Sequence, residues 1–480
     1  MDRIPTEIKL AIVRMLIEDS PESAYVYATL SREWQALLEP TTFASLKLNQ
    51  VRLCQAKGTL TPVRQAYVRR IHFTALLPDY DYHHRPDNES EKQRNNEAFS
   101  DAVASLMDLL GAWSSPHHGG IELQLSTACT IDLQTMRRGH GFELLNLRAR
   151  QIRCISSYVT LNKGFYRQLP ELPCISKFTC PPASVYQRRL VPQTCCQIAS
   201  RFPHLRTIDW QLADGSHNSD FRLQLRSDFA TGLLAFIPEL VRHFTLGYSR
   251  GPGVERFFPD EDPQICLGST RDPLSVALRN LSMQMETVTL QMTSIGSELL
   301  WDPELPPDQQ GCWPRLREMG LNFDGRTPQG EELFDWDPSD LPDPDDHESD
   351  PPSAFTRVIP IPAQHRPYHL AFARAAGRMP RLRYFSALYG YRLAAMVDYT
   401  VRPRTAEFHY ESSPVVDGLI TQEVQEEWWN NAHAHLREGD KFRFHVVDTE
   451  EIVGFRHRAI TGIAIDDPPE RKTIKWTRVI

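Results

Sequence analysis

The sequence predicts an α/β protein built from a three-helix module over residues 1–45, an irregular α/β repeat array over 46–415 and a small C-terminal α/β cap over 416–480. Three observations carry this expectation. Apolar residues recur at helical spacing through the first 45 residues. Further on, one template, apolar-Pro-x-apolar-x-x-apolar-x-apolar, returns four times. The 480 residues are 41% hydrophobic, ample for an extended core, yet they hold no uninterrupted apolar run of membrane-spanning length.

The opening helix is read from Ile4, Ile8, Ile12 and Met15 or Leu16, with Pro5 and Glu7 in a first turn that tolerates a missing N–H and favours negative charge. Ser20-Pro21-Glu22 predicts an N-cap and a first-turn proline for a second helix carrying Ala24, Tyr25, Ala28 and Leu30. Ser31 caps a third helix with Trp34, Leu37 and Leu38, expected to stop at Pro40 before a strand within 43–48. Residues 77–96 are polar and turn-rich and read as a loop ahead of a helix from Glu97 to Trp113.

The template copies are Leu172-Pro173-Cys174-Ile175, Phe202-Pro203-His204-Leu205, Trp313-Pro314-Arg315-Leu316 and Met379-Pro380-Arg381-Leu382, each followed by alternating apolar residues. Looser copies lie at 236–246 and 281–292. Proline ends a helix, the next apolar residue anchors a turn, and the alternation is that of a strand with one buried face. Helices are expected just upstream, over 195–202, 229–237, 274–281 and 368–379. Proline-to-proline intervals of 30, 35 and 66 residues give a period above the roughly 20–29 of leucine-rich repeats, so the array reads as an irregular, leucine-rich-repeat-like solenoid bearing insertions. An ordinary α/β domain whose helices end at proline fits the same pattern. The cap is read from a helix over 420–436 containing Trp428-Trp429 and from strands over 441–447, 453–458 and 473–480.

The formal net charge of −8 is concentrated, because residues 331–350 hold ten Asp and Glu and no Lys or Arg. Residues 324–353 are therefore expected to be a disordered insertion, either a solvated spacer or a recruiter of a basic partner through Asp335-Trp336-Asp337. The remaining chain is nearly neutral, with no basic block for nucleic acid or an anionic membrane. Nine scattered cysteines, never spaced C-x-x-C, suit a reduced intracellular compartment, cytoplasmic or nuclear, with buried thiols. Lysine is scarce, nine against 44 Arg, with none over 178–440; either a compositional bias or work beside a ubiquitin-conjugating centre would produce this.

Phosphate-loop, dinucleotide, zinc-protease, nucleophile-elbow and kinase signatures are all missing, so no catalytic residue, cofactor or metal is assigned. His433-Ala434-His435 places two rings on opposite sides of a helix, and His83-His84, His117-His118 and Cys195-Cys196 lack partners at a recognised spacing.

The first 45 residues resemble an F-box, the helical motif that docks a substrate receptor onto the Skp adaptor of a cullin-RING ubiquitin ligase. Ile4-Pro5-Thr6-Glu7-Ile8 matches the family's Leu-Pro-x-Glu-Ile start, followed by Ile12 and Leu16 and then Leu30-Ser31-Arg32-Glu33-Trp34 with Leu37 and Leu38. Departures are Ile4 for the usual Leu and a middle stretch without Val-Cys or Val-Ser. The whole chain looks like filamentous-fungal F-box-like proteins in which such a start precedes irregular leucine-rich-like repeats. The resemblance implies a non-catalytic substrate-recognition subunit of an SCF-type ligase, its adaptor surface drawn from Ile4, Pro5, Ile8, Ile12, Leu30 and Trp34, some of which form the module's own core. Its implied partners are the Skp-type adaptor, cullin through it, and an unidentified protein substrate on the repeats. The rivals are a free-standing repeat scaffold and an unrecognised hydrolase or transferase built from His and carboxylates.

Overall fold

The computed structural model describes residues 5–19, 24–80, 87–113, 120–131, 153–154, 156–183, 187–213, 219–249, 271–336, 358–389, 395–412, 418–437, 439–448 and 472–479. The chain is mixed α/β with mostly parallel strands and divides into two compact units, Met1–Trp210 and Gln211–Ile480.

The first unit opens with α1 (Thr6–Asp19), α2 (Ala24–Tyr27) and α3 (Arg32–Thr42). Val13, Trp34 and Leu38 form a buried centre, with Ile12, Leu16, Ile17, Tyr27, Ala28 and Leu37 around it. Ser31 caps α3 as expected, its Oγ accepting the Trp34 N–H at 3.3 Å. Pro40, expected to end α3, lies inside it, and the Phe43 N–H still reaches the Glu39 carbonyl at 2.9 Å. Ala36, whose carbonyl loses its helical donor to the proline, is exposed, so water can serve that carbonyl.

Then follow β1 (Ser45–Leu48), α4 (Gln50–Thr59), α5 (Pro62–Tyr67), β2 (Arg70–Leu77), α6 (Glu89–Gly111), β3 (Ile121–Cys129), β4 (Tyr158–Val159), β5 (Ile175–Cys180), β6 (Arg189–Leu190), α7 (Pro192–Ala199) and β7 (Thr207–Ala213). Strands β1, β2, β3, β5 and β7 are parallel neighbours in that order. The loop expected over 77–96 is shorter than its polarity suggested, and residues 81–86 of it lie outside the described residues. Helix α6 begins at Glu89 rather than Glu97 because Asn88 and Glu91 form a capping box, with bonds of 2.8 and 2.9 Å. Just ahead of it Asp87 is buried between Arg153 (2.6 Å) and Arg188 (3.1 Å), and both guanidinium groups lie over the Tyr80 ring.

The second unit contains α8 (Ser219–Phe236), β8 (His243–Ser249), α9 (Pro273–Ser282), β9 (Thr287–Thr293), β10 (Glu318–Phe323), β11 (Phe334–Trp336), β12 (Val358–Pro360), α10 (Pro362–Ala376), β13 (Tyr384–Tyr389), β14 (Ala395–Arg402), β15 (Thr405–Ser412), α11 (Gln422–Ala432), β16 (Lys441–Asp448) and β17 (Lys472–Val479). Strands β8, β9, β10 and β13 run parallel in order, β13, β14 and β15 are antiparallel neighbours, β16 joins β15 in parallel, and β17 pairs antiparallel with β16. Residues expected to form the cap thus extend the strand pairing, while 453–458 lie outside the described residues. Helices α7, α9 and α10 start earlier than their apolar spacing indicated, each with proline at its first position, where no N–H is needed.

Every template copy leads into a strand. Leu172, Ile175, Phe202, Leu205, Trp313, Leu316, Met379 and Leu382 are all buried. The second anchor's N–H returns to the first anchor's carbonyl in Ile175 to Leu172 (3.2 Å), Leu205 to Phe202 (3.0 Å) and Leu382 to Met379 (2.9 Å). The residue entering the strand then donates to the preceding turn or strand: Arg206 to Ser176 (2.8 Å), Glu286 to Arg242 (2.7 Å), Arg317 to Glu286 (2.8 Å) and Arg383 to Arg317 (2.8 Å).

Order also extends further into the acidic stretch than expected. Leu333 is buried within 324–336, and β11 closes against β12 with Phe334 opposite Pro360; residues 337–353 lie outside the described residues. The β14–β15 hairpin was missed altogether. Its turn places Arg404 at φ 65° after Pro403, the proline-then-left-handed order of a type II turn, which glycine would adopt without strain. Replacing Arg404 by Gly is expected to raise unfolding stability by about 1 kcal/mol in urea titration.

Helix α9 is capped by Asp272, which accepts the Leu274 and Ser275 N–H groups and takes two 2.7 Å bonds from Arg226; both side chains are fully buried. Asp272→Ala should cost about 3–5 kcal/mol, because it leaves a guanidinium buried without its counter-charge. Asp272→Ala with Arg226→Met should recover much of that loss in the same denaturation assay.

Candidate functional site

Helix α1 is apolar over more of its circumference than its core contacts use. Val13, Leu16 and Ile17 turn to Trp34 and Leu38, and Lys9, also buried, reaches Glu33 of α3 at 2.5 Å. Ile8 and Met15, seven residues apart and so on one side of the helix, are 52% and 62% exposed. Val26 on α2 and Leu30 in the turn before α3 are 50% and 59% exposed. The predicted surface residues therefore separate. Pro5, Ile8 and Leu30 are exposed, Ile12 is half-buried against the module core, Trp34 belongs to that core, and Ile4 lies outside the described residues. Met15 and Val26 join the exposed apolar set; Met15 was legible as a helical-face residue, but nothing in its spacing marked it as outward-facing.

The strands bring together a second, polar set that sequence reading missed. In the second unit Phe385, Ala387, Tyr389, Val397, Tyr399, Phe408 and Tyr410 are buried on one side, with Trp428 of α11 against Tyr399 and Phe408. The alternate register carries Tyr384, Ser386, Leu388, Met396, Asp398, Thr400, Glu407, His409, Glu411 and His445. Ser386, Asp398, His409 and His445 are direct neighbours across four strands. Tyr384 Oη donates to Asp398 at 2.9 Å, and Glu411 lies 3.3 Å from His409 Nε2. Burial holds the Asp398 carboxyl above its usual range, against the pull of the Tyr384 and Ser386 hydroxyls.

This constellation does not assemble a nucleophile. Activation of a serine needs the imidazole between hydroxyl and carboxylate. Here the carboxylate of Asp398 stands between Ser386 and His409. The buried cysteines of β5 and α7 are equally unsuited: Cys180 and Cys195 approach to 3.7 Å, and burial pushes the Cys180 and Cys196 thiols well up, away from the reactive thiolate. His435 is a structural link, one ring nitrogen facing Tyr399 Oη (3.0 Å) and the other the Met379 carbonyl (2.8 Å), while His433 is exposed. His83-His84 and His117-His118 lie outside the described residues.

Among the described residues no helix is long and apolar enough to cross a membrane, and no group of three or more His, Cys, Asp or Glu side chains is placed to hold a metal ion. Compared with known proteins, the chain matches no protein-family model, no curated protein and no solved structure.

Two further histidines sit in the core on α10. His365 bonds the Leu333 carbonyl at 2.9 Å, and His369, whose ring nitrogens have no hydrogen-bond partner among the described residues, packs among Phe372, Tyr389 and Tyr410. Burial lowers the His365 pKa to about 4 and that of His369 well below its usual value. The unfolded chain takes up these protons near pH 6.5 and the folded chain refuses them, so stability should fall as pH drops from 7 toward 4, by up to about 1.4 kcal/mol per unit for each histidine. Urea titrations at pH 7 and 5 should show the loss, and His369→Phe should reduce it.

Proposed function

We propose that this chain is a non-catalytic substrate-recognition subunit of an SCF-type ubiquitin ligase, docking a Skp-type adaptor, and through it cullin, with its N-terminal helical module. A protein target would bind on a leucine-rich-repeat-like solenoid formed by the remaining elements, and the work would be done in the cytoplasm or nucleus. The observation that carries the reading is the exposure of Pro5, Ile8 and Leu30 on a module whose sequence follows the F-box pattern. Burial of Pro5, Ile8 and Trp34 together would have left no docking face; only Trp34 is buried. Support for the array comes from the repeated anchor turns and the sequential parallel strands within each unit.

The rival is a free-standing repeat scaffold that keeps the helical module as an end cap. A capping helix is expected to turn a polar face to solvent. Ile8 and Met15 on α1 do the opposite. Full-length chain should capture a purified Skp–cullin pair, and Pro5→Ala with Ile8→Asp should weaken capture at least about tenfold, since a carboxylate would be buried unpaired at the contact. A well-folded chain that captures nothing would overturn the ligase assignment and leave the scaffold.

A further inference from the structure

Resting on that reading, we infer that the target is held through an acidic protein segment laid along the strand entrances of β10, β13 and β16 and the β14–β15 turn. Folding assembles there a row of cations that no single stretch of sequence shows. Two template copies carry the same four residues, Pro314-Arg315-Leu316-Arg317 and Pro380-Arg381-Leu382-Arg383. In each, the leucine is buried and both arginines are exposed. Main-chain bonds fix the order of the row: the Arg383 N–H donates to the Arg317 carbonyl at 2.8 Å, that of Val401 to Arg383 at 2.9 Å and that of Lys441 to Arg404 at 3.1 Å. Arg402 and Arg404 in the hairpin turn and Lys441 at the start of β16, all exposed, continue it.

Seven cations, Arg315, Arg317, Arg381, Arg383, Arg402, Arg404 and Lys441, stand at these strand ends with three acids, Glu286, Glu318 and Asp440. Among the described residues none of the seven makes an ion pair or a side-chain hydrogen bond, whereas Lys9, Arg64, Arg153, Arg226 and Arg374 elsewhere all do. Arg404 adds an independent observation: its backbone holds φ 65°, which glycine would adopt freely, so a cationic side chain stands there at a cost in stability. From β10 to β16 the row crosses four strand spacings of about 4.8 Å, and its length of about 19 Å matches roughly six residues of extended peptide. Carboxylates on such a peptide can each be taken by a guanidinium in the two-bond geometry that arginine favours. The exposed residues between the cations are Pro314, Glu318, Pro380 and Pro403, not the aromatic rings on which single-stranded nucleic acid stacks. The chain's own acidic run at 331–350 is the competitor that a test has to separate from an outside segment.

The probe is a short rhodamine-labelled peptide alternating Glu and Gly, compared with its Gln and Gly counterpart by fluorescence anisotropy on the full-length chain at low salt. The acidic peptide should bind and the amide peptide should not, with affinity falling as salt rises. Arg317→Gln with Arg383→Gln should weaken binding at least about tenfold, whereas Arg32→Gln with Arg94→Gln, which removes equal charge from exposed helix positions, should change it less than about twofold. Arg404→Gly should bind more weakly while being the more stable protein, a combination that damage to the fold does not produce. No binding of the acidic peptide, equal losses in the two double variants, or unaltered binding in Arg404→Gly would overturn the inference. So would tighter binding of a single-stranded oligonucleotide of equal charge that the same variants abolish, which would make the row a nucleic-acid surface. Peptide binding seen only after the carboxylates of 337–350 are changed to amides would also overturn it, by making the chain's own acidic run the occupant. Capture of the Skp–cullin pair by Arg317→Gln with Arg383→Gln should be unchanged. Its failure in the parent chain would count against the ligase reading while leaving the acidic-segment site standing.

Discussion

The main-chain bond from each strand entrance back to the preceding turn or strand is the constraint on which the array depends. Parallel neighbours cannot be joined by a tight turn, so every strand must be reached through a crossover that brings the chain back to the same end of the sheet. The bonds from Arg206 to Ser176, Glu286 to Arg242, Arg317 to Glu286 and Arg383 to Arg317 fix where each return lands. Strand register follows from them. A one-residue slip would turn Phe385, Ala387 and Tyr389 out of the core, which the buried pair Met379 and Leu382 at the turn opposes.

Connections of very different length are tolerated because their ends are held by buried charge. Asp87, between β2 and α6, meets Arg153 and Arg188 from two other connections, and Asp272, between β8 and α9, meets Arg226 of α8. Each pair has lost its water and cannot exchange partners cheaply, so it specifies one arrangement of the chain where apolar packing alone would accept several. His365 bonding the Leu333 carbonyl holds the base of the acidic stretch in a neutral version of the same device. That explains why order runs on through Glu331, Glu332 and Leu333 into a stretch whose composition pointed to disorder.

The anchor turns were legible in sequence because they combine proline, two fixed apolar anchors and a two-residue alternation, all local signals. The β14–β15 hairpin was not read, although Ala395, Val397 and Tyr399 alternate against Ala406, Phe408 and Tyr410, because it lacks the proline-led template that drew attention elsewhere. Helix starts were placed late because apolar spacing alone set them, and Pro192, Pro273 and Pro362, which occupy the first turns, carry no such spacing. In the N-terminal module the spacing of Ile8 and Ile12 and the cap before Trp34 identified apolar faces on the first and third of three helices but could not divide core from surface. That division depends on where α3 lies against α1, which no spacing within α1 encodes. The Asp398 neighbourhood was invisible for a stronger reason, since Ser386, Asp398, His409 and His445 meet only through pairing across four strands.

The exposed apolar set on the helical module and the half-buried polar set on the strands differ in a way that bears on the kind of partner each could keep. Ile8, Met15, Val26 and Leu30 offer apolar area, which rewards a partner roughly in proportion to the surface removed from water and suits a contact shared by every copy of an assembly. The strand face around Asp398 offers one carboxylate oriented by Tyr384 among hydroxyls and imidazoles, and groups of that kind discriminate among partners more than they add affinity. A subunit that stays with one adaptor while exchanging targets needs the first property at its helical module and the second on its strands. A scaffold with a single class of partner has no use for both.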